Sequence, residues 1–127
     1  MREEELFEKI KTYLIPDLKK TERYSFEDAT SEKYNLNIEL KCRSVHYQYL
    51  LVEKVKFDKL NLNKRARYIC STPVGIFSFN IKKLPEPKWF EKWLPETTEF
   101  GEKKWILKKI GYYSIDSGKN LSNILNF

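Results

Sequence analysis

The segment Leu36–Arg43 has the sequence Leu-Asn-Ile-Glu-Leu-Lys-Cys-Arg and alternates between apolar and polar side chains without a break. An alternation of period two predicts a β-strand that anchors one face in a core and turns the other face outward. On the polar face, Glu39 and Lys41 stand side by side at a spacing of about 6.6 Å. A carboxylate and an ammonium held in this way can bind a cation and steer a water molecule. The alternative is an ordinary half-buried strand with a polar outer face.

The composition is that of one globular domain with a substantial core. The chain has 127 residues, of which 41% are hydrophobic and 15% aromatic, with only 4 glycines and 5 prolines. Both the length and the apolar content suit a single folded domain. Lys and Arg total 24 against 18 Asp and Glu, which gives a net charge of +6. This balance favours a polyanionic partner such as a nucleic acid.

Several cellular settings are disfavoured by the sequence. It contains no apolar run of about 18 residues, so neither a membrane span nor a membrane partner is expected. The first residues, Met1–Glu5, do not resemble a secretory signal. Cys42 and Cys70 form no CxxC pair and lie in apolar-periodic segments. They are therefore predicted to be reduced, buried thiols in a cytoplasmic protein.

The first two thirds of the chain predict helices alternating with short strands. Leu6, Ile10 and Tyr13 recur at helical spacing, so Arg2–Leu14 is predicted as a helix that ends before Pro16. Further predicted elements are two short strands, Lys19–Tyr24 and Ser25–Thr30, and a hairpin of Ala66–Ser71 and Ile76–Lys82. The segment Leu50–Leu62 fits a strand or a helix, and its length favours the helix.

The last third is harder to assign. Leu84–Pro95 is rich in proline and aromatic residues, and Lys88–Leu94 is predicted as a short helical turn. Its aromatic side chains either stack on unpaired bases or pack a long loop onto the core. A strand is predicted over Lys103–Ile110, and residues 117–127 are predicted to be a loosely held tail. The single domain would thus have a core of about 1–82, an aromatic loop with an additional strand over 83–116, and the tail.

Asp28 precedes the Glu39-Leu40-Lys41 triplet by eleven residues, within the order helix, three strands, helix, two strands. This pattern resembles the PD-(D/E)XK nuclease superfamily, which includes restriction endonucleases and Holliday-junction resolvases, and among its members the small phage-type nucleases are nearest. The resemblance covers residues 3–81, although Glu27 stands where many members have proline. It implies an α/β fold with a restriction endonuclease-like core: a central mixed sheet of four or five strands flanked by helices, in αβββαββ order.

The resemblance also implies the roles of individual residues. Asp28 and Glu39 would bind a divalent metal ion, Lys41 would be the catalytic lysine, and the main-chain carbonyl of Leu40 would complete the protein ligands. Glu3 of the first helix would join the site. The implied cofactor is Mg²⁺, with Mn²⁺ able to substitute. Oxygen ligands of this kind suit Mg²⁺, which retains several waters, lowers the pKa of a bound water and neutralises charge on a phosphate.

Basic residues near the triplet are candidates for nucleic-acid binding. Arg43 lies on the same strand face as Lys41 and would hold a neighbouring phosphate, or else form a surface ion pair. Lys54 and Lys56 belong to the basic half of the chain. His46 is the only histidine, which disfavours a two-histidine mechanism. Neither a P-loop nor a GxGxxG motif is present.

The function expected from these features is that of a Mg²⁺-dependent DNA endonuclease acting on branched or single-stranded DNA. A homodimer is compatible with cutting two strands, and no small-molecule cofactor is expected. The protein would act in the cytoplasm, or in the host cytoplasm if it is encoded by a phage. Two alternatives remain open: a non-catalytic nucleic-acid-binding protein with the same fold, and a small protein-interaction module.

Overall fold

A computed structural model describes residues 1–22, 28–62, 65–96 and 104–127. Two helices and nine strands follow one another along the described chain, together with a 3₁₀ turn at Ile115–Ser117. The helices are α1 (Glu3–Tyr13) and α2 (Lys54–Leu60). The strands are β1 (Lys19–Lys20), β2 (Ala29–Ser31), β3 (Leu36–Cys42), β4 (Tyr49–Glu53), β5 (Arg65–Thr72), β6 (Gly75–Asn80), β7 (Phe90–Pro95), β8 (Trp105–Ser114) and β9 (Lys119–Asn120).

Six of these strands form the main sheet, in the order β1-β2-β3-β5-β6-β9. Strands β3 and β5 are parallel and the other neighbours are antiparallel, so the sheet is mixed as predicted. The main sheet has more strands than the predicted four or five. The strands β4, β8 and β7 form a second, three-stranded antiparallel sheet that the sequence analysis did not anticipate.

The segment β3 lies near the centre of the main sheet, and its apolar face is buried as predicted. Ile38 and Leu40 pack in one core cluster with Leu6 and Ile10 of α1. The apolar stripe of α1 therefore faces the sheet. The acidic residues of its first turn lie at the positive end of the helix dipole. Burial of this face holds the catalytic candidates of β3 in a fixed place.

The polar face of β3 is not solvated, contrary to the sequence-based prediction. Asn37 and Glu39 are only 6% and 7% exposed. A second core cluster, which includes Phe57 and Leu60 of α2, covers this face. The Asn37 side chain donates a hydrogen bond to the Leu60 carbonyl at 3.4 Å. Alternation along a strand predicts two faces but does not say what packs on the second one.

The segment from 50 to 62 contains both of its predicted alternatives. Leu50 and Val52 alternate into the core as part of β4, and Phe57 and Leu60 then recur at helical spacing in α2. A window of this length averages the two periods, so neither a single helix nor a single strand describes it.

Two predictions for the C-terminal third are wrong. The predicted helical turn over Lys88–Leu94 is not formed, because the segment from Phe90 onward belongs to β7, where Trp93 pairs with Leu107 of β8. The predicted loose tail is anchored, because Leu121 and Leu125 are buried in the core beneath α1 and β9 pairs with β6. Both segments gain their structure from distant partners, which local composition does not reveal.

Other boundaries shift without changing the architecture. The predicted hairpin of β5 and β6 is confirmed, and the strand predicted over Lys103–Ile110 corresponds to β8, which runs on to Ser114. The two predicted N-terminal strands are represented by β1 and β2, and their junction at residues 23–27 lies outside the described residues, as does Lys103. Within the described ranges, no helix has the length and apolar character needed to cross a membrane.

Candidate active site

Asp28 and Glu39 meet at the edge of β3 where β2 begins. The Asp28 N–H donates to the Ile38 carbonyl at 2.9 Å, which attaches this residue to the central strand. Its carboxylate Oδ2 accepts a hydrogen bond from the Leu40 N–H at 2.7 Å. The Glu39 side chain forms a hydrogen bond with the Asp28 side chain. Two carboxyl groups that are far apart in sequence are thus brought into direct contact.

These surroundings make the Glu39 carboxyl a weaker acid than usual. Burial, followed by the nearby charge of Asp28, raises the pKa of Glu39 to about 8. When Glu39 is protonated, its carboxyl can donate to the Asp28 carboxylate. Two carboxylates that lie close together in a poorly solvated place repel each other. A divalent cation bound to both would offset this repulsion.

Lys41 lies two residues further along the same strand face. It is half-buried, and its Nζ atom is 5.7 Å from the centroid of the Tyr68 ring. Burial lowers the pKa of Lys41, while the charge of Glu39 acts in the opposite direction. A desolvated lysine with a lowered pKa can take part in proton transfer, and in its charged form it can stabilise the negative charge of a phosphate. The structure therefore brings Asp28, Glu39 and Lys41 together, as the sequence predicted.

A chain of ion pairs extends from Glu39 to the second sheet. The Lys56 Nζ atom lies 3.7 Å from Glu39 Oε1 and 3.8 Å from Glu53 Oε2. Glu53 Oε1 lies 2.6 Å from Lys108 Nζ of β8. The sequence predicts nucleic-acid binding for Lys56, whereas it predicts no role for Glu53 or Lys108. Their proximity depends on the second sheet, and a Glu and a Lys 55 positions apart carry no local signal.

Glu3, the ligand predicted from the first helix, is the first residue of α1. Burial and the nearby charge of Asp28 raise the pKa of Glu3, so the two carboxyl groups are close enough to interact. Within the described ranges, however, no three His, Cys, Asp or Glu side chains are grouped closely enough to hold a metal ion. A metal ligand role for Glu3 stays a prediction.

The main chain of Leu40 offers a further oxygen. In a β-strand, the N–H and C=O groups of one residue point toward the same neighbouring strand. Because the Leu40 N–H points at Asp28, its carbonyl points toward the same edge. The pairing of β2 with β3 ends at Ala29 and Ile38, so it does not reach Leu40. Two carboxylates and one carbonyl are hard oxygen donors, and they fit Mg²⁺ with the remaining positions filled by water.

The other predicted contacts are placed less favourably. Lys54 forms an ion pair with Asp58 at 2.6 Å, away from the carboxylate pair. Arg43 directly follows β3, and its charge is close enough to Lys41 and Cys70 to act on the pKa values of both in the downward direction. His46 is 2.9 Å from the Thr72 hydroxyl, in the connection between β3 and β4. None of these observations tests a role in nucleic-acid binding.

Comparison with known proteins supports the fold. No protein-family model matches the sequence, and no curated protein matches it. Among solved structures, the chain is similar to Archaeoglobus fulgidus Hjc, a Holliday junction resolvase from an archaeal hyperthermophile. The TM-score is 0.56 at 16% identity, over 98% of this chain and 92% of that chain.

The protein therefore has a mixed α/β fold similar to that of a Holliday junction resolvase. The sequence-based resemblance, to a superfamily that includes such resolvases, is supported at the level of the fold. At this identity the likeness does not extend to activity, metal or substrate.

Proposed function

We propose that the protein is a metal-dependent endonuclease that hydrolyses phosphodiester bonds in DNA, with selectivity for branched or single-stranded structures. One observation carries the proposal: the Asp28 and Glu39 carboxyl groups meet beside the Lys41 ammonium. The fold shared with a resolvase and the net charge of +6 support DNA as the partner.

In this proposal, Asp28, Glu39 and the Leu40 carbonyl hold a Mg²⁺ or Mn²⁺ ion, which when bound supplies an activated water and charge neutralisation at the phosphate. The Leu40 N–H orients Asp28 by its hydrogen bond of 2.7 Å. Lys41 positions the attacking water and stabilises the charge that develops on the phosphate oxygens. Its lowered pKa increases the fraction of Lys41 that is neutral at a given pH, and only the neutral amine can accept a proton from the water.

Lys56 has a second role in the proposal. Its ammonium lies 3.7 Å from Glu39 and balances part of the carboxylate charge. The Glu53–Lys108 pair fixes Lys56 from the side of the second sheet. A cutting site on each of two subunits would cleave two strands of a junction, so we include a homodimer in the proposal.

The test combines metal binding with cleavage. Calorimetric titration of Mg²⁺ and Mn²⁺ should show binding to the wild type and none to Asp28→Asn. Glu8→Gln, an exposed change on α1, is the matched control. Plasmid, single-stranded and four-way-junction DNA should be compared as substrates. If the wild type binds no metal ion but binds DNA in a salt-dependent way, a non-catalytic binding protein is favoured. If it binds neither metal ion nor DNA, a protein-interaction module is favoured.

A further inference from the structure

A groove of about 330 Å³ lies on the α1 side of the main sheet. Its floor is formed by Leu36 and Ile38 of β3 and Ile69 of β5, all of them buried. Successive residues of a strand point to opposite faces, so this groove is on the other side of the sheet from Glu39 and Lys41. It is therefore a separate feature from the candidate active site.

Two arginines enter this groove from β5. Arg65 and Arg67 are two positions apart and thus lie on the same strand face. Arg65 donates to the Tyr34 carbonyl at 2.7 Å, and Arg67 donates to the Ala66 carbonyl at 3.3 Å. Both accepting groups are neutral. In the part of the chain that the structure describes, neither arginine belongs to a salt bridge.

The unfavourable electrostatic energy of this arrangement affects mainly Arg67. It is half-buried, and burial together with the charge of Arg65 lowers the pKa of Arg67. Two like charges in a half-buried place repel, and an anion between them would remove the repulsion. The guanidinium groups keep free donors that can bind a phosphate or carboxylate through paired hydrogen bonds.

The surroundings of the groove are also positive. Lys119 of β9 is paired in register with Ser78 of β6, which lines the groove. The two residues therefore lie on the same face of the main sheet. Asp17, which follows the groove residues Leu14 and Ile15 in the sequence, accepts hydrogen bonds from the Ser31 hydroxyl at 2.7 Å and the Lys33 N–H at 3.0 Å and, within the described ranges, forms no salt bridge with either arginine. The local charge thus favours an anionic ligand.

We propose that this groove binds a phosphate monoester attached to a flat, largely apolar body, which is the chemistry of a nucleoside 5′-monophosphate. A phosphate monoester carries about −1.5 to −2 charges at pH 7 and balances two arginines, whereas a carboxylate carries only one. Leu36, Ile38 and Ile69 offer an apolar floor for the attached body. Tyr34 also lines the groove and is 37% exposed, with the Lys33 Nζ atom 5.4 Å from its ring centroid, so an aromatic ring and a further cation are available to a base and its phosphate.

The size and the position of the groove agree with such a ligand. A volume of about 330 Å³ is at the small end of the range for small-molecule sites. The monophosphate has two sources, a free nucleotide and the phosphorylated end of a nucleic-acid strand. The site goes beyond the proposed nuclease activity and does not depend on it, because no residue is shared between them.

Binding of thymidine 5′-monophosphate to the full-length protein in EDTA and low salt tests the proposal. Titration calorimetry should show binding that is about tenfold or more weaker for thymidine and for inorganic phosphate, since each lacks one half of the ligand. Arg67→Met and Arg65→Met should each reduce the affinity about tenfold or more, because a charge-assisted hydrogen bond is lost. Lys82→Met, an exposed change after β6, should leave the affinity unchanged.

The location and the source are tested in the same experiment. Methyl resonances of Leu36 and Ile38 should shift on titration, and Glu39→Gln should bind the nucleotide as well as the wild type does. A single-stranded oligonucleotide that binds tighter with a 5′-phosphate than with a 5′-hydroxyl identifies the strand end as the source, and equal binding identifies the free nucleotide. No binding of the wild type at millimolar nucleotide, or an affinity equal to that of the wild type in both arginine variants, would overturn the proposal.

Discussion

Replacing Glu39 by Gln should stabilise the metal-free protein at neutral pH. The pKa of Glu39 is raised from 4.5 to about 8 in the folded protein, mainly by burial and then by Asp28. A raised pKa means that the contribution of Glu39 to stability is fully present below pH 4.5 and is lost as the pH rises toward 8. A neutral amide of the same shape avoids this loss and can still donate to Asp28.

The size of the effect follows from the shift. Each pKa unit corresponds to about 1.4 kcal/mol, and pH 7 lies about 2.5 units above the ordinary pKa of 4.5 but still below the folded value of about 8. Keeping Glu39 protonated in the folded state, while it ionises in the unfolded chain, therefore costs roughly 3 kcal/mol at pH 7. This is an upper figure, because the ammonium groups of Lys41 and Lys56 face the same carboxylate and lose a partner in the variant. The gain in unfolding free energy should therefore be about 1–3 kcal/mol at pH 7 and close to zero near pH 4.5.

Urea denaturation in EDTA, repeated from pH 4.5 to pH 8, measures the difference. Glu8→Gln, exposed on α1, is the control and should follow the wild type at every pH. The reasoning is refuted if the difference between Glu39→Gln and the wild type does not change with pH, or if the variant is the less stable protein at pH 8. Mg²⁺ should then raise the stability of the wild type and leave the variant unaffected, because only a bound ligand stabilises the folded state.

Three further predictions concern the same strand and its surroundings. Lys41→Ala should abolish cleavage but preserve Mg²⁺ binding in calorimetry, because it removes a positive charge and no ligand; loss of both activities would show that Lys41 supports the metal site. Leu40→Ala should lower the unfolding free energy by about 2–5 kcal/mol in urea denaturation, because a fully packed core side chain is lost; a loss no larger than that of Glu8→Gln would contradict this. DNA affinity should fall steeply with rising salt in fluorescence anisotropy, since phosphate contacts release counterions, and a flat dependence would count against a phosphate-binding surface.

The central strand and its site were accessible to sequence reasoning because they depend on local pattern. Alternation over Leu36–Arg43 fixes which residues share a face, and this predicts the burial of Ile38 and Leu40 and the nearness of Glu39 and Lys41. The contact with Asp28 required a strand pairing, and the antiparallel register of Ala29 with Ile38 supplied it.

The remaining features depend on partners that are distant in sequence. The second sheet pairs β4 with β8 across about sixty residues, and it covers a face that alternation alone predicts to be solvated. The raised pKa of Glu39 and the Lys56–Glu53–Lys108 ion pairs are consequences of this cover. The anchoring of the tail has a similar cause, since Leu121 and Leu125 are buried in one core cluster with residues of α1, and no local feature of residues 117–127 predicts this packing.

Cleavage of an end-labelled four-way junction, with Mg²⁺ or with EDTA, is the measurement that bears most directly on the proposed nuclease site. Wild-type protein should nick the junction only with Mg²⁺, and Glu39→Gln should bind the same junction without cutting it. Cleavage that persists in EDTA, or that is unchanged in Glu39→Gln, would contradict the assignment of Asp28 and Glu39 as the groups that hold the catalytic metal ion.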